Sequence, residues 1–262
     1  MKKNFLFVLA ASALIASCNT APKTASMEGV YKMDKSNLND GTTENVLVNN
    51  DSIVQYKIYT PSNYFYIALG KDSAVSFGLG SYTMKEGNVE ESNIFNTITL
   101  DSASSATLNI TKTDKGYTQD IPELKMYGKT YKLSETYSNV AASGTSALDG
   151  VWHQVKNLSI NGTDTADATY NEYKIFHGGH FMWAARALAD TAANKFKNFV
   201  GYGTFTAANE SLTENLEFSS IIGITGKYNI IVTFNGADEF TQKTADSTAK
   251  VVGFKTYKRI SK

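Results

Sequence analysis

The 262-residue chain has one cysteine, three prolines, three histidines and two tryptophans, and its 25 Lys and Arg are matched by 25 Asp and Glu. A single thiol, Cys18, excludes any disulfide within the chain, so the fold must be held by packing alone. Zero net charge leaves no global field to attract nucleic acid, and nucleic-acid binding drops out of the functions considered. Histidine and cysteine are too scarce for an obvious metal centre. Only His177-Gly178-Gly179-His180 brings two imidazoles close, and with no cysteine or acid in the turn it reads as a hairpin tip, not a metal site. Also missing are a nucleophile elbow, a phosphate-cradling glycine loop, a metalloprotease helix and a matched acid and base. The chain therefore reads as a non-enzyme that needs no cofactor.

What is plentiful is β-forming: 15 tyrosines, 14 phenylalanines and 19 glycines, with many Thr, Val and Ile. Apolar residues recur with period two in Thr107-Leu108-Asn109-Ile110-Thr111 and in Tyr228-Asn229-Ile230-Ile231-Val232-Thr233-Phe234. Asn235-Gly236, Glu86-Gly87-Asn88 and Lys115-Gly116 supply the positive φ of tight hairpin turns. The segment Phe181 to Phe196 is alanine-rich enough for a helix. Its counterpart Tyr64 to Leu69 is plainly a strand, so it is expected to be a strand running into a loop.

The chain repeats itself. Met27-Glu28-Gly29-Val30-Tyr31 matches Leu148-Asp149-Gly150-Val151-Trp152, and Gln55-Tyr56-Lys57-Ile58-Tyr59 matches Glu172-Tyr173-Lys174-Ile175-Phe176. Gly78, Gly80, Tyr82 and Glu91 share their offsets with Gly201, Gly203, Phe205 and Glu214. Tyr117-Thr118-Gln119 matches Phe240-Thr241-Gln242, and Lys129-Thr130-Tyr131-Lys132 matches Lys255-Thr256-Tyr257-Lys258. Two copies follow, 27–137 and 148–262, joined by a small-residue linker over 138–147 that reads as flexible. About eight short strands per copy suit an antiparallel barrel or sandwich. Recurrence of Lys57 and Lys174, Glu91 and Glu214, and Gln119 and Gln242 marks what the unit needs. The glutamates are expected to face solvent or pair with a neighbouring lysine.

Lys2 and Lys3 precede an apolar run from Phe5 to Ile15, which is too short to span a bilayer and the right length for a secretory signal. It ends at Ile15-Ala16-Ser17-Cys18, which resembles the lipobox of bacterial lipoproteins. The resemblance implies a signal peptide over 1–17, acylation of Cys18 and a tether over 18–26. The acyl chains would make the membrane a partner. No acidic run follows Cys18; in Bacteroidota lipoproteins, which the chain resembles on the features given below, such a run often marks export to the outer face, so that resemblance implies an outer-membrane lipoprotein facing the periplasm.

A copy of about 110 residues that opens on Gly-x-Trp and closes on a strand with Lys-Arg resembles the lipocalin or calycin group of small barrels. The resemblance implies an all-β fold of two tandem antiparallel lipocalin-like β-barrels, with Trp152 packed under Arg259 to close the base of the second. In the first copy Tyr31 stands for the tryptophan and Leu133 aligns with Arg259, leaving Lys132 as the nearby base. The whole chain is similar to tandem lipocalin-like lipoproteins of Bacteroidota. The triplets at Ser52, Ser73, Ser102, Thr165, Thr191 and Ser247, each Asp then Ser or Thr then a small apolar residue or Thr, are similar to O-glycosylation acceptors of exported proteins of that phylum.

Aromatics alternate on two matched strands, and the set Tyr64, Tyr66, Phe181 and Trp183 is expected to face inward, filling the barrel or lining a pocket. Two functions stay open. One is binding of a small apolar or amphipathic ligand in a barrel or in the groove between barrels. The alternative is an envelope lipoprotein with filled barrels that presents its loops to a protein or glycan partner.

Overall fold

The computed structural model describes residues 26–42, 44–48, 53–71, 73–97, 105–126, 129–168, 170–190, 195–246 and 251–261. The leader, Cys18, Ser52, Ser102, Thr191 and Ser247 lie outside them. In the first half the strands are β1 (Gly29–Asn39), β2 (Glu44–Val48), β3 (Ile53–Tyr59), β4 (Asn63–Gly70), β5 (Val75–Lys85), β6 (Asn88–Asn96), β7 (Ser105–Thr113), β8 (Gly116–Met126) and β9 (Lys129–Val140). In the second half they are β10 (Gly150–Asn161), β11 (Asp164–Asp167), β12 (Asn171–His177), β13 (His180–Asp190), β14 (Lys195–Ala208), β15 (Ser211–Ser219), β16 (Gly226–Phe234), β17 (Glu239–Asp246) and β18 (Val251–Ser261).

Each half is one antiparallel sheet in sequence order, closed by its first and last long strands: β1 pairs with β9, and β10 with β18. The first strand of each half is shared along its length. Gly29 to Lys32 of β1 pair with β3, while Lys35 to Asn39 pair with β2, so β2 and β3 act as one stave in two pieces. The protein is thus two closed eight-stave barrels, all β. A register shift between Met33 and Lys35 of β1, matched between Gln154 and Lys156 of β10, bends the long strand at the hand-over.

Two expectations change in detail. Ser138, Asn139 and Val140 are strand, paired with Lys32, Tyr31 and Val30, so the first barrel runs three residues past 137. The rest of the linker is docked on the second barrel: Ser143 N–H donates to Gly178 O at 2.8 Å, and His180 Nε2 lies 3.0 Å from Ala141 O. The alanine-rich segment is strand up to Asp190, and Phe196 already belongs to the next strand, β14.

The barrels are packed side by side. Val30, Ile58, Phe65, Phe77 and Leu79 of the first form one core with Val151, Ile175, Met182, Val200 and Tyr202 of the second. Tyr56 stacks on Tyr202 with ring centroids 3.7 Å apart, and Arg186 lies over Phe95 at 5.1 Å while reaching the Asn96 carbonyl. The contacting staves are therefore buried on both faces. This explains why Tyr64 to Leu69 and Phe181 to Ala185 are apolar at every position: one alternating set faces a barrel interior and the other faces the seam. Packed side chains from both barrels fill this seam among the described residues.

Candidate functional site: two barrel interiors over buried charge

The base of the second barrel is closed as the resemblance implied. The Arg259 guanidinium lies 3.9 Å from the centre of the Trp152 ring and donates to Ala147 O at 2.9 Å and Ala237 O at 3.1 Å. Trp152 Nε1 donates to Leu148 O at 2.7 Å, and Tyr31 OH makes the equivalent bond to Met27 O at 2.9 Å. The first copy's closing base is corrected, however. Tyr31 pairs with Asn139, as Trp152 pairs with Arg259, whereas Lys132 pairs with Asn39 at the far end of β1. The repeated Lys-Thr-Tyr-Lys block is out of structural register by six residues. The true counterpart of Lys255 to Lys258 is Glu135-Thr136-Tyr137-Ser138, which the opposed pairs Gln119–Glu135 and Gln242–Lys255 establish. Lys132 therefore has no part in closure. Arg259→Ala is expected to lower stability by about 2–3 kcal/mol, through the lost cation–π contact and unpaired carbonyls. Asn139→Ala should lower it by under about 1 kcal/mol. Urea midpoints of the two variants check this, and equal losses would refute the assigned closure.

The glycine pairs shape the interior. A Cβ on Gly78 would collide with the Tyr66 ring, and one on Gly201 with the Trp183 indole, so these glycines let a large ring lie flat across the neighbouring strand. Gly80 and Gly203 sit where the register shifts, and a Cβ there would strike the backbone carbonyls of Ser92 and Asn215. Both interior rings and both bulges thus depend on the same hairpin, repeated.

Because side chains alternate, Gln55, Lys57 and Tyr59 of β3 point inward while Tyr56 and Ile58 face the other barrel. Lys57 and Glu91 meet inside at 2.7 Å, and both are buried. Lys57 Nζ also donates to Gln119 Oε1 at 3.2 Å and stands 5.0 Å from the Tyr59 ring centre. In the second barrel Lys174 pairs with Glu214, to which Gln242 Nε2 donates at 3.0 Å. The recurring residues therefore pair as expected but face the interior, not solvent. They form a charged floor in each barrel.

Sequence reading missed the rest of that floor. Lys255 pairs with Glu172 at 2.9 Å, and Tyr257 OH donates to the same carboxylate. In the first barrel Glu135 accepts from Gln119 Nε2 at 2.7 Å, Tyr137 OH at 2.8 Å and Gln55 Nε2 at 3.3 Å. Burial pushes the Glu135 carboxyl up from its ordinary value. Burial acts the same way on Glu172, but Lys255 beside it and the Tyr257 hydrogen bond outweigh it and hold that carboxyl below the usual value. Tyr59, Tyr137 and Tyr257 are all raised well above a free phenol, first by burial and then by the carboxylate each one faces.

Above each floor is space. The second barrel holds a cavity of about 410 Å³, walled by Trp183, Phe199, Leu216, Ile224 and Ile230, with Glu172, Lys174, Gln242 and Lys255 at its floor and Tyr170 and Tyr228 farther out. The first holds about 240 Å³, lined by Tyr64, Tyr66, Met33, Ile121 and Leu133 over Lys57, Glu91 and Glu135. Of the four aromatics expected to face inward, Tyr64, Tyr66 and Trp183 line the cavities. Phe181 is packed among the core side chains of the second barrel, with Lys174 Nζ 5.0 Å from its ring centre. Neither interior is filled.

His177 and His180 flank a two-glycine turn with φ of 58° and 80°, and among the described residues no three metal-ligating side chains come together. His180 is occupied by the linker carbonyl and by Tyr202 OH at 2.8 Å. Of the acceptor triplets, Ser73 lies in the exposed turn between β4 and β5, and Thr165 is exposed on β11.

No family model matches the chain, and no curated protein matches it. Among solved structures it is similar to a DUF3598-family protein of unknown function from Nostoc punctiforme, at 10% identity and a TM-score of 0.26, covering 89% of this chain and 96% of that one. It is also similar to a mutant transferrin-binding protein B from Haemophilus parasuis, at 6% identity and a TM-score of 0.24, covering 91% and 77%. A transferrin-binding protein B from Neisseria meningitidis follows at 9% identity and a TM-score of 0.21, covering 89% and 77%. With TM-scores this low, none of these likenesses bears on the function of this chain.

Proposed function

We propose that the chain is a binding protein of the bacterial envelope, held to the membrane by acyl chains on Cys18, that carries a small amphipathic molecule in its second barrel. The observation that carries this reading is the cavity of about 410 Å³ with an aromatic and aliphatic wall over a charged floor. Its size falls within the range of small-molecule sites, and a few convergent polar groups at one end of an apolar space are what orient an amphipathic guest. The apolar part would lie along Trp183, Phe199 and Leu216, and the polar end would meet Lys255 and Glu172. No covalent chemistry is assigned to the site, whose charged groups are already paired with one another. The Bacteroidota origin, the periplasm-facing placement and sugars on the acceptor triplets, Ser73 and Thr165 included, belong to the same proposal. Intact mass of the native protein tests the acyl chains and the sugars together.

The two tryptophans make the cavity testable, since Trp183 lines it and Trp152 is buried at the base. Anilinonaphthalene sulfonate should bind with energy transfer that survives Trp152→Phe and is lost in Trp183→Phe. Leu216→Trp, which fills the space, should abolish binding. Native mass spectrometry of protein purified from its host should show a bound small molecule. An empty barrel with a co-purifying protein would instead favour the partner-presenting alternative. What speaks for that alternative is the 98% exposed Ile222, whose chain neighbour Ile221 lines the second cavity together with the exposed Tyr170.

A further inference from the structure

The two floors are built on one plan but differ in charge. At structurally equivalent positions, Gln55 and Glu135 in the first barrel stand where the second has Glu172 and Lys255; Gln55 lies opposite Ala68 as Glu172 lies opposite Ala185, and Gln119 opposite Glu135 as Gln242 opposite Lys255. The second floor has two cations, Lys174 and Lys255, for two carboxylates, Glu172 and Glu214. The first has one cation, Lys57, for two carboxylates, Glu91 and Glu135, and no other charged side chain lines that cavity among the described residues.

The hydrogen bonds around Glu135 are arranged to serve the ionised carboxylate. Lys57 donates to Gln119 Oε1, which turns the Gln119 amide nitrogen towards Glu135. Tyr137 OH accepts from Gln55 Nε2 and so points its own proton at Glu135. Gln55 Nε2 also donates to Glu135, and Ser36 Oγ stands 3.5 Å away. Two amide N–H groups and the Tyr137 hydroxyl are thus set to donate to Glu135, an arrangement that serves a carboxylate, and only hydroxyl oxygens could accept from a carboxylic O–H. An uncompensated buried carboxylate is unfavourable unless a cation joins it. Above it lies a cavity of about 240 Å³ walled by Tyr64 and Tyr66, rings that favour an organic cation over a hydrated metal ion.

We infer that the first barrel is a site for a small organic cation, an amine with an apolar group, whose ammonium pairs with Glu135 while its apolar part lies against Tyr64, Tyr66 and Leu133. This does not depend on what the second barrel holds. The two barrels would then take guests of different charge.

The test uses the whole protein and the isosteric pair n-hexylamine and n-hexanol, followed by calorimetry. Hexylamine should bind at least about tenfold more tightly than hexanol, and Glu135→Gln should erase that preference. Because both tryptophans belong to the second barrel, amine binding to the first should leave Trp183 fluorescence unchanged, which separates this result from the test of the second cavity. The reciprocal variant, Glu172→Gln with Lys255→Glu, copies the first floor into the second barrel. Hexylamine should then alter Trp183 fluorescence where it did not before. Equal affinity for amine and alcohol, a preference that survives Glu135→Gln, or a transplant that gains no amine response would each overturn the proposal. If Glu135→Gln does not fold, the transplant alone decides it.

Discussion

Gly203→Ala is expected to lower the stability of the protein by about 3 kcal/mol, more than a typical surface substitution by a wide margin. A methyl at 203 would run into the Asn215 carbonyl on the adjacent strand, where the β14–β15 register shifts. Neither side can yield, because both are backbone inside a closed ladder. Gly201→Ala should be milder, about 1–2 kcal/mol, because what it meets is the Trp183 side chain, which can rotate. The rotation should show in tryptophan emission and in weaker probe binding, so the two glycines separate in kind as well as size. Urea denaturation followed by far-UV circular dichroism gives the comparison. A loss under about 1 kcal/mol for Gly203→Ala would mean that the bulge relaxes and the rigid-corner account is wrong. Because the two barrels share one core, their unfolding should remain a single transition.

Lys174→Met is expected to be comparably severe, about 3–5 kcal/mol, because it leaves the Glu214 carboxylate buried without its cation. The double variant Lys174→Met with Glu214→Leu should recover most of that loss. The pair repays its own desolvation rather than adding net stability, and removing both ends leaves only the Gln242 contact unmet. A double-mutant cycle on denaturation midpoints reads the coupling directly. If the double variant is as unstable as the single, the ion pair is not an isolated couple and the floor acts as one network with Lys255 and Glu172. The same logic applies to Lys57 and Glu91, where the pair also supports Tyr59, whose hydroxyl donates to Glu91.

Much of this architecture was legible from residue order. Matched Gly-Val-aromatic starts, glycine hairpins with equal offsets and period-two runs are local features, so they predict paired strands without knowledge of the final packing. Trp152 and Arg259 could be paired because a resemblance placed them on neighbouring strands, and the structure sets them 3.9 Å apart. In the last strand of the first copy, Lys129 to Lys132 imitates Lys255 to Lys258 in letters but not in position, since Glu135 is what faces Gln119 as Lys255 faces Gln242. That strand's register was decided by which side chains had to face Tyr31, Tyr117 and the floor. The floor was half visible: Lys57, Glu91 and Gln119 recur, but Glu135 and Lys255 differ, and a difference between copies carries no signal until alignment in space shows that they occupy one position.

By itself the sequence determined that there are two copies of one antiparallel unit, where their hairpins turn, and that no disulfide holds them, because these depend on neighbours in the chain and on residue types alone. Only the tertiary structure decided which face of each aromatic strand looks into a barrel and which into the seam between barrels. A period of two distinguishes the faces but does not say what lies beyond either, and here both are buried. It also decided that buried lysines and glutamates lie under open space, since charge balance in a closed barrel is a property of residues far apart in the chain and brought together only when the first strand meets the last.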